Sequence, residues 1–366
     1  MHEVKYDQTG TPVQLLTKEV AVGISNLAGG LNATRTDAGM QPDITVIIPS
    51  HNRLWSLPKA VESCRSSAIR IQIIVIDDGS TDGTGAWLKT QQDLEVLQGE
   101  RWGKPWGVNK ALGLAKGTYL RYLDSDDWLN PGTNEQQFEI AEREQADVVV
   151  AGLDLYRDEV FAATDPWLYT DDFIAQQLGE SRYSAYSAFL FRRSFIEDVP
   201  HRTLFPSSDF ASRDDRCFML EVALRHPRIA VCSTPTLCYR QHSKERLQFP
   251  TGLRAVGTNI QTLYIYRQIV NLLDQRGELT PRRRKAASKI LWPLAHMVAY
   301  SHLIDACEIA EWVFKLDPEF RVPEKGLLGV LYRRMGFRKT ELLLRLRRTF
   351  LAFFRPKPTP QSLKLK

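Results

Sequence analysis

The chain has 366 residues, 43% of them hydrophobic and 25% charged, which suits one large or two ordinary globular domains and excludes a wholly disordered polymer. Its net charge of +5 is unevenly spread, because residues 333–366 carry eleven Lys/Arg against the single acid Glu341. A basic end on a mildly acidic body points to a local contact with an anionic surface and excludes a protein that is basic throughout.

Residues 1–42 read as a lead-in segment, with scattered glycines among Asn, Thr and Asp and weak periodicity. From Asp43 the character changes. Ile44–Ile48 is a compact β-branched run, followed by helical spacing over Ser56–Ser66. Strands are expected at Ile71–Ile76, Leu94–Leu97, Thr118–Leu123 and Asp147–Ala151. Helices are expected between them at Asp82–Thr90, Val108–Ala115 and Glu135–Arg143. Such alternation predicts an α/β fold, a mostly parallel Rossmann-like sheet flanked by helices, whose ligands bind beyond the carboxyl ends of the strands. Residues 152–245 are mixed, with strands at Ser187–Phe191 and Thr236–Arg240 and a helix at Arg216–Arg225. Beyond about Gly252 the pattern is helical: Ile260–Leu273, Ala286–Phe314 with a kink at Pro293, Leu327–Arg334 and Lys339–Phe354. Residues 355–366, with three prolines at the start, read as a loose basic tail.

Five widely spaced cysteines without a CxxC pair argue against a disulfide framework or a thiolate metal site. No basic start followed by an apolar run opens the chain, and no stretch approaches the ~20 apolar residues of a membrane span. A cytoplasmic location is expected.

The strongest local signal is Tyr119-Leu-Arg-Tyr-Leu-Asp124-Ser125-Asp126-Asp127-Trp128, a strand that runs into three carboxylates. Residues two apart in extended chain share a side, so Asp124 and Asp126 can point together. Crowded carboxylates repel one another and invite a hard cation, Mg²⁺ or Mn²⁺, shared with substrate phosphates; a solvated acidic turn is the plain alternative. A second strand ends in Asp77-Asp78-Gly79-Ser80, where a strand-to-helix turn explains the glycine and serine but not two consecutive acids. Such an acid can accept from a base N–H or a ribose hydroxyl. Pro49-Ser50-His51-Asn52 ends the first strand, as a breaker and cap or as part of the same pocket. The cations Arg101 and Lys104 lie in a glycine-rich stretch suited to a phosphate, or to a loop whose two Trp pack on the sheet. Asp214-Asp215 opens a helix, where one acid can cap and leave the other as a general base. Arg240 and His242 follow a short strand.

The order and spacing of Ile44–Asn52, Ile74–Gly83 and Gly117–Asp127 closely resemble glycosyltransferase family 2, over about residues 43–245. The resemblance implies an inverting enzyme of the GT-A fold, a nucleotide-sugar donor, usually of uridine diphosphate, and a divalent metal, Mn²⁺ or Mg²⁺. It divides the chain into a nucleotide half (about 43–130), an acceptor half (about 131–245) and a helical C-terminal region (246–354) outside the shared core. Carried over, Pro49, Ser50, His51 and Asp78 surround the base and ribose. Asn52, Asp77, Arg101, Lys104, Asp124 and Ser125 complete the nucleotide contacts. Asp124, Asp126 and Asp127 form the metal and diphosphate site, and Arg240, His242 and Trp128 lie near the diphosphate. Asp215 is the implied base, with Asp214 in the place where the family usually has Glu. The loop at Gly107-Val108-Asn109 also departs from the family's usual Ala-Arg-Asn.

The implied reaction adds one sugar to a glycan, a glycolipid or a lipid-linked acceptor, in surface polysaccharide synthesis. A sugar nucleotidyltransferase would carry an early Gly-rich signature with Lys, which the chain lacks. A non-catalytic nucleotide-sugar-binding or scaffolding protein would have lost its base, whereas Asp124, Asp126, Asp127 and Asp215 are all present. Residues 339–354 pair an apolar stripe (Leu342, Leu346, Phe350, Phe353) with arginines. That suits a helix on an anionic membrane surface or one packed on the protein itself; no nucleic-acid partner is expected.

Overall fold

The computed structural model describes residues 41–181, 185–202, 213–242 and 253–353. The lead-in up to residue 40 and the tail at 355–366 lie outside them. Two β-branched runs that are buried on both faces make the first strands, β1 (Ile44–Ser50) and β2 (Ile71–Asp78), and the half-buried β3 (Leu94–Gly99) lies at the sheet edge. Fully buried parallel strands have no polar face, which is why their sequences show continuous apolar runs instead of alternation. β4 (Tyr119–Tyr122) joins β1 on its other side, giving the order β3-β2-β1-β4 with every pairing parallel. The register sets Ser50 opposite Asp77 and Ile47 opposite Tyr122, so the segments after β1, β2 and β4 leave the sheet at one end.

Helices α1 (Leu57–Cys64), α2 (Thr84–Leu88), α3 (Lys104–Leu112) and α4 (Thr133–Arg143) connect these strands. α3 begins four residues before its expected start. Gly103 (φ +85°) turns the chain and Pro105 occupies the first turn, so the glycine-rich stretch is half helix. Close approach explains Gly117, where a Cβ would sit 2.4 Å from the Thr45 amide nitrogen. Arg121 is fully buried in β4 without a carboxylate partner. Its guanidinium donates to Asn134 Oδ1, Gln137 Oε1 and the carbonyls of Ser187 and Phe189, so it fastens the sheet to α4 and to the next segment.

Beyond β4 the sheet is mixed. β5 (Trp128–Leu129), β6 (Val148–Arg157), β7 (Val160–Asp165), β8 (Leu190–Arg192) and β9 (Ile229–Gln241) extend the order as β4-β8-β6-β9-β5, with β7 on β6. Only the β6–β9 pairing among them is parallel; the β4–β8, β6–β8, β6–β7 and β5–β9 pairings are antiparallel. The mostly parallel sheet expected from the alternation therefore describes the first half alone. A hairpin such as β6–β7 gives no βαβ signal, and its second strand is exposed, with no alternation of apolar and polar residues to announce it.

α5 (Phe173–Gln177), the short α6 (Arg193–Ile196) and α7 (Asp214–Ala223) follow in this half. α7 is buried on two sides. Phe218, Met219 and Val222 enter the sheet core, whereas Cys217, Leu220 and Ala223 enter a second core formed with the C-terminal helices. Those helices are α8 (Leu253–Gln275), α9 (Pro281–Ala299), α10 (Leu303–Leu316) and α11 (Gly326–Phe353). The single helix expected over Ala286–Phe314 is two, because the chain breaks between Ala299 and Leu303, while Pro293 stays inside α9. The two helices expected at Leu327–Arg334 and Lys339–Phe354 are both present and meet at Gly336, whose φ of +75° and ψ of 173° are not helical; the pair is labelled α11 as a whole. Among the described residues no helix is long and apolar enough to cross a membrane. All five cysteines are free, four of them buried.

Candidate active site

The segments that leave β1, β2 and β4 meet at one end of the sheet. His51 Nδ1 lies 2.9 Å from the Asp78 carbonyl oxygen, and Asn52, in the left-handed region at φ +52°, receives the Thr81 amide on Oδ1 at 2.8 Å. The Asn52 amide donates to Ser80 Oγ at 2.9 Å. Asn52 thus stitches two loops together. Ser50 is buried, and its hydroxyl has no hydrogen-bond partner among the described residues. Asp77 is buried and accepts the Ser80 amide at 3.2 Å.

Both oxygens of Asp78 are engaged, by the amides of Trp102 (2.6 Å) and Gly103 (2.9 Å). The carboxylate therefore holds the stretch that starts α3. Gly99 must be glycine here, since a Cβ would come within 2.5 Å of Asp78 Oδ1. Arg101 is exposed at a left-handed φ of +61°. Trp106 is 64% exposed, contrary to the alternative in which both tryptophans pack on the sheet, whereas Trp102 lies under the Lys110 ammonium at 3.6 Å.

After β4 the three carboxylates diverge in environment. Asp124 Oδ1 accepts from Lys104 Nζ at 2.6 Å. Asp126 Oδ2 lies 3.0 Å from His242 Nε2 and 3.9 Å from Arg53 Nε. Asp127 is buried and accepts the Arg240 amide at 2.8 Å. Burial, reinforced by Asp126 and Asp124, pushes the Asp127 carboxyl well above the usual carboxylate range. Burial also raises Asp124, opposed by Lys104 and supported by Asp126. Ser125 is buried, with its carbonyl accepting from Ser56 Oγ at 2.7 Å.

α7 brings in the other acids. Asp214 and Asp215 occupy its first turn, where carboxylates suit the helix dipole. Asp214 is buried with one oxygen unpartnered, and burial pushes its carboxyl up to about 7, against the pull of Lys104 and with the support of Asp215 and Asp124. Asp215 is half-buried and accepts the Arg216 amide at 2.7 Å. Burial disfavours charge on Lys104, but Asp124, Tyr186, Asp214 and Asp215 together outweigh it and hold the ammonium well above the ordinary lysine value.

Five aspartates therefore converge on one end of the sheet, and Lys104 lies among them. Several neighbours carry no sequence signal. Trp55 packs edge-on to His242 with ring centroids 4.9 Å apart, and the Arg240 guanidinium lies 5.1 Å over Trp55 and 4.7 Å over Trp128. Lys59 covers Trp128 at 3.4 Å, and Glu159 pairs with both Arg240 (2.8 Å) and Lys59 (2.5 Å). Trp128 therefore supports Arg240. His201 is buried, stacks on Phe218 at 4.4 Å and is held neutral, its imidazole lowered to about 3 chiefly by burial. Among the described residues no three His, Cys, Asp or Glu groups make a closed metal cage.

The sequence profile described as Glycosyl transferase family 2 matches residues 45–200. EpsH of Bacillus subtilis (strain 168), named as a glycosyltransferase, is 25% identical over 60% of this chain and 68% of its own length. The succinoglycan biosynthesis protein ExoO of Rhizobium meliloti (strain 1021) is 29% identical over 31% of this chain and 34% of its own. Among solved structures, residues 1–349 of S. aureus TarS in complex with UDP-GlcNAc superpose with a TM-score of 0.59, at 15% identity, over 87% of this chain and 95% of that one. The shared fold is GT-A.

Proposed function

This chain carries a glycosyl transferase family 2 domain of the GT-A fold, and on that premise we propose that it transfers a sugar from a nucleoside-diphosphate donor to an acceptor hydroxyl with inversion. The observation that carries the reading is that Lys104 lies among Asp124, Asp214 and Asp215, with Asp126 and Asp127 next to Asp124. Three strand ends supply the donor side, and α7 supplies the acids opposite.

Asp215 is the proposed base. It is the more exposed of its pair, which leaves it within reach of an acceptor hydroxyl, and its Oδ1 accepts the Arg216 amide at 2.7 Å. The acceptor oxygen attacks the anomeric carbon as its proton passes to the Asp215 carboxylate. The bond from that carbon to the β-phosphate oxygen breaks, and the nucleoside diphosphate leaves with the electron pair. One displacement inverts the centre, so no carboxylate nucleophile is needed. Lys104 steadies the ionised carboxylates until the diphosphate arrives.

A divalent cation, Mg²⁺ or Mn²⁺, when bound would offset charge on the leaving diphosphate. The donor set fits a protein-poor site. Asp126 Oδ2 and His242 Nε2, 3.0 Å apart, would hold the ion, and phosphate oxygens would complete its shell. The name of ExoO supports polysaccharide synthesis as the setting, and the UDP-GlcNAc held by TarS supports a uridine diphosphate donor. A glycan or lipid-linked acceptor at the cytoplasmic side follows from the same reading.

The test is a panel of nucleotide sugars assayed for nucleoside-diphosphate release with and without Mn²⁺, with the product anomer read by NMR. Asp215→Asn should lower turnover by at least about 100-fold, the usual worth of a general base, while leaving donor affinity within a few-fold. Unchanged turnover in that variant removes the base assignment; a product of retained configuration removes the single displacement.

A further inference from the structure

We propose that the second half of α11 is a membrane-docking face, built to lie on an anionic lipid bilayer. The helix has two opposed faces. Phe337, Thr340 and Glu341 are buried and Leu344 packs against the helical core, which defines the inner side. At 3.6 residues per turn, Leu342, Leu343, Leu346 and Phe350 fall on the opposite side. Leu346 and Phe350 are 67% and 64% exposed. The stripe singled out in the sequence is thus turned outward at these positions, and a different set of residues does the inward packing; the side chain of Phe353 lies outside the described residues.

Rotation of the helix to bury the stripe is blocked by Glu341. Its Oε1 lies 2.7 Å from His296 Nδ1 and accepts from Tyr332 Oη at 2.6 Å, and its Oε2 pairs with Arg348 at 3.2 Å. Turning the leucines inward would pull this carboxylate away from His296 and Tyr332, whereas Arg348, two turns along the same segment, would move with it.

Charge decides what covers the outward face. Arg338 and Arg345 project along one edge of the stripe and Arg347 along the other, all exposed, while Lys339 lies within it. Glu341, the lone acid from Gly326 to Phe353, faces inward. An apolar strip between rows of cations matches acyl chains flanked by phosphate headgroups, with the arginine stems reaching outward to the phosphates. The corner between α9 and α10 is also exposed, on the side of α11 that carries Arg348. Arg348 lies 4.0 Å over the Tyr300 ring, and Tyr300 and Ile304 are 68% and 76% exposed. A second copy of the chain would set like charges against one another, and a nucleic acid would leave the leucines uncovered.

The experiment is flotation of the full chain with phosphatidylcholine vesicles prepared with or without phosphatidylglycerol. Flotation should require phosphatidylglycerol and weaken at high salt. Leu346→Asp should abolish it, and Arg338→Gln, Arg345→Gln and Arg347→Gln together should weaken it on the order of 100-fold, at roughly one headgroup-strength interaction per cation. Each replaced side chain is exposed, so unchanged circular dichroism and melting identify the variants as folded. The proposal is overturned if the wild-type chain stays unbound with both vesicles or binds both equally. Binding that survives both variants overturns it as well. So does a wild-type dimer that Leu346→Asp dissociates without lipid, or RNA retention in place of lipid retention.

Discussion

Lys104 Nζ lies 2.6 Å from Asp124 Oδ1, joining the first turn of α3 to the residue that follows the β4 strand end. The pair is largely sheltered, the lysine more than the aspartate. Removing one partner of such a pair leaves an uncompensated charge, and the full buried-pair penalty of about 3–5 kcal/mol is reduced here by the solvent that reaches Asp124. Lys104→Met should therefore cost roughly 1–3 kcal/mol in urea melts. It should also shift the acid limb of the kcat/KM profile to higher pH, because the ammonium no longer offsets the acids of α7. A variant with wild-type midpoint and profile would show that the ammonium does not act on these acids.

Asp78 predicts a different kind of loss. Its carboxylate accepts the amides of Trp102 and Gly103, one on each oxygen. Asp78→Ala should cost about 2–3 kcal/mol, two charge-assisted bonds partly replaced by water. Donor KM should rise more than kcat falls, since the released stretch leads into Lys104. Isothermal titration with the donor nucleotide and denaturant melts separate the two effects.

Much of the donor half was legible because its signals are local. The β-branched runs Ile44–Ile48 and Ile71–Ile76 can only be buried strands, and the acids that follow them sit where a parallel sheet opens. The acids of α7 were legible for the same reason, as a cluster at a helix start. What stayed hidden depends on partners far apart in the chain. Glu159 meets Arg240 across a sheet edge, and Trp55 meets His242, with nothing in either neighbourhood to announce the pairing. The same holds for Asp78, read as a nucleotide contact, whose carboxylate is spent on two amides a strand and a loop away. At the C-terminus the amphipathic stripe was visible, but which side faced the protein depended on the contacts of Glu341 with His296 and Tyr332.

Asp214 makes stability depend on pH in a defined direction. Its carboxyl stands at about 7 in the folded chain against an ordinary 3.8, so the folded state keeps a proton that the unfolded state has lost between those values. Stability is then fully present below the ordinary value and declines as pH rises through about 7. Asp214→Asn keeps a neutral side chain at every pH and removes this decline. The difference in melting free energy, variant minus wild type, should grow by roughly 1–3 kcal/mol from the acid to the alkaline side, with most of the change complete slightly above neutrality. A difference that stays flat with pH would remove the raised carboxyl from the account.

Glu341 predicts the opposite sign. It is 3% exposed, and burial alone would raise its carboxyl; the hydrogen bonds from His296 and Tyr332 outweigh burial and hold it below the usual glutamate value. A depressed folded pKa means stability that is present above the ordinary value of 4.5 and lost as pH falls through the folded one. Glu341→Gln removes the charge, leaves the Arg348 guanidinium without its carboxylate and offers Tyr332 a weaker acceptor, at a cost of about 2–4 kcal/mol near neutral pH. In acid, the wild-type carboxyl protonates and the two chains should converge. Urea melts from neutral to acid pH check this: wild type should lose stability faster than the variant, and the gap should close. Equal midpoints at neutral pH would mean that packing, through Phe337 and Leu344, and not this carboxylate, fixes which face of α11 turns outward.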